Sequence, residues 1–152
     1  MTLPQIVGWT GLALTWATAL WRGGRPERLG ASLIGVAWIL TPIVQLRENW
    51  YQPQYGICVI DLVTLIGLAA LAVRYQRYWP ICAAGFQFIA VLTHLAFLVN
   101  PQALFRAYLF GNFSIGFLLL GAVLGGVIME GATPPPLRPW AWPRSHASRS
   151  SP

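Results

Sequence analysis

The chain has no lysine, one aspartate and four acidic residues in 152. Charged residues make up only 9% of it, against roughly 25% in a soluble domain. That scarcity excludes an ordinary water-facing surface. Cysteine is nearly absent too. Cys58 and Cys82 are too few for a disulfide framework and read as small apolar residues near opposite membrane faces. There is no Walker loop, no nucleophile elbow and no paired-cysteine motif, so no reaction is named and a non-enzymatic role is preferred. No internal repeat is visible, and five apolar blocks do not divide into two equal halves, which disfavours an inverted-repeat transporter within one chain.

What is abundant is apolar sequence. Hydrophobic residues make up 56% of the chain and the mean hydropathy is +0.57. They fall in long blocks, and about 20 such residues span a bilayer core. The blocks run Leu3 to Trp21, Leu29 to Leu46, Ile57 to Val73, Trp79 to Val99, and from Asn100-Pro101 to near Met129. The fold class expected is therefore all-α, a polytopic transmembrane bundle of about five spans. The bundle occupies residues 1–130, with a disordered Pro/Ser/Arg-rich tail over 131–152. Nothing basic precedes the first block, while Arg22 and Arg25 follow it. A signal peptide has the reverse order, so the first helix is read as retained. Pro42 interrupts the second block, a feature that membrane helices tolerate. A fifth helix beginning at Pro101 would exceed the bilayer core, so its start lies along the interface or Gly111 breaks it.

The net charge of +6 comes entirely from arginine. An all-arginine basic complement is associated with a GC-rich bacterial genome. These arginines stand at block ends, as membrane topology demands, and not in runs with interleaved aromatics, so nucleic acid is not expected as a partner. With the N-terminus outside, Arg22, Arg25, Arg28, Arg74, Arg77, Arg138, Arg144 and Arg149 fall inside, and only Arg47 and Arg106 fall outside. This bias predicts a bacterial inner-membrane protein with a periplasmic N-terminus and a cytoplasmic C-terminus. Trp21, Tyr75, Tyr78 and Trp79 would form the inner aromatic belt, and Trp50, Tyr51, Tyr55 and Tyr108 the outer one. Glu27 would complement the dipole of the second helix.

One polar constellation carries chemistry. Asp61 is the sole acid inside an apolar block and His94 the sole histidine. An ionisable group in a span costs about 2.5–3.5 kcal/mol on insertion scales, so a partner is expected. Asp61 lies ~6 Å below the outer end of the third helix, and His94 ~7.5 Å below that of the antiparallel fourth. The matching depths predict an Asp61–His94 hydrogen bond. Thr41 and Gln45 on the second helix, Thr64 on the third, Gln87 on the fourth and Asn112 on the fifth fall in or near the same layer. Two readings stand. In the first, the layer joins helices through interhelical hydrogen bonds. In the second, it is a ligand, cofactor or proton site.

No cofactor is named by the sequence. His94 would be the axial ligand if a haem or chlorin were bound, but His146, the other histidine, lies in the tail. Asp61 and His94 supply only two of the three or four ligands that zinc requires, so no metal is expected. The pairs Gly121/Gly125 and Ala31/Gly35 are candidates for close helix approach.

Over Ile57 to Tyr108, the series Asp61, Arg77-Tyr78-Trp79-Pro80, Gln87 and His94 resembles a family of small multispanning membrane proteins from alphaproteobacteria. That family has no assigned activity, so the resemblance implies a membrane bundle and no function. The short loops and the Trp/Pro/Arg tail lead to the expectation of an accessory subunit of a larger membrane complex, respiratory or photosynthetic. Its partners would be the lipid bilayer and other membrane subunits, with anionic lipid contacted through the tail. The alternative is a small carrier or ligand-binding protein that uses the outward-facing Asp61/His94 layer.

Overall fold

The computed structural model describes residues 3–45, 54–99 and 101–130. These form five α-helices and no strand: α1 (Leu3–Arg22), α2 (Arg25–Val44), α3 (Tyr55–Tyr75), α4 (Tyr78–Val99) and α5 (Pro101–Glu130). By length and composition α2, α3, α4 and the Phe110–Met129 part of α5 are apolar enough to cross a membrane. With 20 residues, α1 matches α2 in length. Its Trp9, Trp16 and Trp21 and its Thr10, Thr15 and Thr18 lower its hydropathy, and it is not one of those four. Two of those threonines offset their own polarity. Thr15 donates to the Gly11 carbonyl at 2.8 Å and Thr18 to that of Leu14 at 2.7 Å, so neither hydroxyl proton needs water.

The connections are tighter than the sequence suggested. The expected turn from Arg22 to Pro26 shrinks to Gly23-Gly24, because Pro26 sits in the first turn of α2, where its missing N–H costs nothing. Gly23 donates its N–H to the Ala19 carbonyl at 3.0 Å, and a Cβ at Gly23 would run into that same oxygen. Between α3 and α4 the chain turns on Gln76, which caps α3 in the left-handed region (φ 50°). The loop expected through Gly56 ends by Gln54, since α3 starts at Tyr55. Residues 46–53, the Asn100 cap and the tail from Gly131 lie outside the described residues. Gly111 does not break α5, which continues unbroken for 30 residues.

Each helix packs against its neighbours in sequence, α1 closes back on α5, and α2 meets α5 across the middle. The pattern follows from the spacing of buried residues. On α4 these are Pro80, Ala83, Gln87, Ala90, His94 and Phe97, an alternation of three- and four-residue steps that forms a coiled-coil-like seam. On α3, Ile57, Thr64 and Leu68 are buried, and Asp61 stands on the same stripe. The opposite faces carry large exposed apolar side chains such as Ile66, Val73 and Phe110, which suit contact with lipid tails.

Close approach between helices uses other glycines than those the small-residue motif singled out. A Cβ at Gly121 or Gly125 would meet nothing within 4 Å, nor would one at Gly35. Instead, a Cβ at Gly30 on α2 or at Gly126 on α5 would collide with the Trp79 indole. Trp79 is buried in the core at 5% exposure. It is not part of an interfacial belt, because two glycines vacate the room that its ring fills.

Candidate functional site

Asp61 enters the bundle on the buried stripe of α3, one turn below Ile57. His94 and Gln87 reach it from the seam of α4. The His94 Nε2 lies 2.8 Å from Asp61 Oδ2. The Gln87 amide donates to Asp61 Oδ1 at 2.9 Å, with its backbone carbonyl also in range at 3.2 Å. The carboxylate is therefore held by two neighbouring donors, as the depth argument predicted for His94. Gln87 lies in the same layer and bonds the acid directly.

Behind His94 the network continues onto α5. The Tyr108 hydroxyl is 3.3 Å from His94 Nδ1. With Nε2–H donating to Asp61, Nδ1 is free to accept the Tyr108 O–H. The Tyr108 ring stacks on Phe97, with centroids 4.6 Å apart and planes at 27°, and meets the His94 imidazole edge-on at 5.1 Å. Tyr108 is 7% exposed, so it is not the outer belt residue that the sequence suggested. Its position could have been read from spacing, since it stands on the same face of α5 as Ile115 and Leu119, both buried. One turn on from Tyr108, Asn112 Oδ1 is buried with no partner among the described residues. Donated protons thus run from Tyr108 through His94 to Asp61, with an unmet acceptor one turn beyond.

This network forms one wall of a cavity of about 350 Å³ reached by residues of all five helices. Asp61, Gln87, Tyr108 and Asn112 line it together with Thr41, Thr64 and Gln45. Thr41 and Asn112 do not bond Asp61, but they share its cavity. His94 stands behind the wall. Its side chain is 4% exposed, whereas that of Asp61 is 18% exposed. The opposite wall is aromatic. Trp9 and Trp38 line it and meet edge to face, with centroids 6.1 Å apart. Trp38 fits because Gly8 and Gly116 leave room for its ring. A Cβ at either would sit 3.1 Å or 2.9 Å from it. Trp38 thus both packs against the two glycines and shapes the cavity.

A second polar cluster lies at the other end of the bundle. Glu27 is fully buried. Its Oε1 accepts from Arg77 Nη1 at 2.7 Å and from Trp79 Nε1 at 2.8 Å. Glu27 was read as a dipole partner and Arg77 as a topology marker. Both roles are consistent with their positions, but neither predicts the ion pair between them. The available signal was that Glu27 shares its helix face with Gly30, Ala31 and Ile34, all buried. Between the two clusters lies an apolar layer that includes Ile34, Leu68, Ala83 and Val123. Among the described residues, no group of three or more His, Cys, Asp or Glu side chains is placed to hold a metal. No family model, no curated protein and no solved structure matches the chain, and none bears on the resemblance seen over residues 57–108.

Proposed function

We propose that this protein binds a small molecule within the membrane, in the cavity walled by Asp61, Gln87 and Asn112 on one side and Trp9 and Trp38 on the other. The observation that carries the reading is the coincidence of two features. The Asp61 carboxylate, held by His94 and Gln87, is still partly exposed, and it lines the cavity. A network that served only to join helices would gain nothing from a void beside it, because unfilled space forfeits packing energy. An apolar cavity with a few convergent polar groups is the usual form of a ligand site. The eight-to-two arginine bias supports placing the cavity on the periplasmic side of a bacterial inner membrane, with the N-terminus outside and the C-terminus inside.

The rival reading, an accessory subunit of a larger membrane complex, draws support from the short Gly23-Gly24 and Gln76-Arg77 connections, which leave no room for an extramembrane domain. Native mass spectrometry of the full chain, purified in mild detergent, separates the two. The expected result is a protein carrying a small-molecule adduct that is lost in Ala37→Leu, a change that fills the cavity. Stoichiometric co-purification of large subunits, with no adduct, would establish the rival.

A further inference from the structure

Gln5 and Gln45 line the cavity with amides that can donate or accept, but around Asp61 the polar groups left facing it are acceptors. Thr41 already donates its hydroxyl proton to the Ala37 carbonyl at 2.8 Å, and Thr64 donates to that of Ile60 at 2.8 Å. What they retain is lone pairs. Gln87 directs its amide N–H groups at Asp61, so its remaining polar atom is a carbonyl oxygen. Asn112 leaves Oδ1 buried and, among the described residues, unpartnered. Among the described residues, Asp61 is the one acidic side chain lining the cavity, and no basic side chain lines it. His94, the nearest titratable partner of Asp61, is turned away behind it. Trp9 and Trp38 complete the lining with two indole rings, whose faces attract cations.

Such a lining rejects some ligands and selects others. A carboxylate or phosphate would face the Asp61 carboxylate with no cation to meet it among the described lining residues. A purely apolar molecule would leave Asn112 Oδ1 unmet, which costs the full desolvation of a buried acceptor. A molecule that donates several hydrogen bonds, carries positive charge and has an aromatic or aliphatic body meets Asp61, Asn112 Oδ1 and the two indole rings together. Resting on the ligand-binding reading above, we infer that the cavity selects lipophilic amines in their ammonium form. The ammonium sits against Asp61 and Asn112, and the apolar body lies along Trp9 and Trp38.

The test is a matched panel of phenethylamine, phenethyl alcohol and phenylacetate, which share a ring and linker and differ in the polar head. Binding to the full-length protein in detergent micelles is measured by equilibrium dialysis, with protein-free micelles as the partition control. The expected order is saturable phenethylamine binding at least about tenfold tighter than the alcohol, and no saturable binding of phenylacetate. Asp61→Asn removes the preference, bringing amine and alcohol within about threefold of each other. Should Asp61→Asn fail to fold, Asn112→Ala keeps the acid and removes the unmet acceptor, and amine affinity falls by about fivefold. Alcohol or carboxylate binding as tight as the amine overturns the ammonium assignment but leaves the cavity a ligand site. Failure of all three to bind overturns the assignment as well, while the adduct measurement on Ala37→Leu still decides the ligand-binding reading.

Discussion

Glu27 and Asp61 are both carboxylates inside an apolar bundle, but their surroundings differ. Glu27 is sealed. It has no exposure, it pairs with a guanidinium, and an indole N–H fills in beside it. Asp61 is 18% exposed, its partners are an imidazole and an amide, and one side faces a cavity. Glu27 Oε2 is buried without a hydrogen-bond partner among the described residues, while both Asp61 oxygens are bonded, so access to the cavity is what separates the two acids. A buried ion pair shut off from the cavity suits a clamp that fixes helix register. An acid that lines a cavity suits a site that meets something else. On the proposed reading the same residue class serves two purposes at the two ends of one bundle, and the packing around it decides which.

The comparison is sharpest if the two ends face different compartments. Tyr55, at the Asp61 end, and Tyr78, at the Glu27 end, are both well exposed. In a background lacking Cys58 and Cys82, cysteines placed at these two positions should react with a membrane-impermeant thiol reagent from opposite sides, position 55 from the periplasm. This effect is all or none. Labelling of both from one side would mean that the bundle does not separate them across a bilayer.

The next largest effect concerns the sealed end. Glu27→Leu removes the oxygen that accepts from both Arg77 Nη1 and Trp79 Nε1, and should cost about 3 kcal/mol of stability. Replacing Glu27 and Arg77 together with apolar residues should recover most of that loss, since the desolvation cost of both charges disappears. Denaturant unfolding in micelles reads both. A cost well under 1 kcal/mol for the single change would show that water reaches the pair.

A smaller effect is expected at the open end. Asp61→Leu strands His94 and Gln87, His94→Leu strands Asp61 and Tyr108, and the double change strands only Gln87 and Tyr108, fewer than the two single changes together. Their coupling in a double-mutant cycle should be about 1 kcal/mol, within the range of interhelical hydrogen bonds in membranes. A coupling as large as that of Glu27 with Arg77 would erase the distinction and make Asp61 a second clamp.

These two ends were not equally legible in the sequence. The Asp61–His94 pair could be read by counting residues from helix ends, because both side chains stand within long apolar blocks and the short connector forces their helices to be antiparallel. Glu27 and Arg77 stand at block edges, where charge is ordinary, so their pairing gave no sign of itself. Tyr108 and Trp79 were assigned to aromatic belts for the same reason. Position along the membrane normal is visible in a sequence, but which way a residue faces near a helix end depends on the neighbour. The Gly121/Gly125 pair misled in the converse sense. A spacing motif states that close approach is permitted, and here the approach happened at Gly30 and Gly126, where a tryptophan needed the space. The cavity itself had no signature, since it is a gap between five helices and belongs to no single segment.

The clamp at Glu27 has a consequence for how the protein is made. Its partner Arg77 lies 50 residues further along the chain. At about 5–20 residues per second of synthesis, the glutamate waits roughly three to ten seconds before its guanidinium exists. During that interval the acid has only water and the flanking Arg22, Arg25 and Arg28 to offset its charge. The placement that α2 finally takes is therefore fixed only when Arg77 and α4 arrive. The Gly23-Gly24 hinge and the Gln76 turn lie at the same end of the bundle as the clamp, so the α1–α2 and α3–α4 hairpins can each enter as a unit and lock together when the ion pair forms.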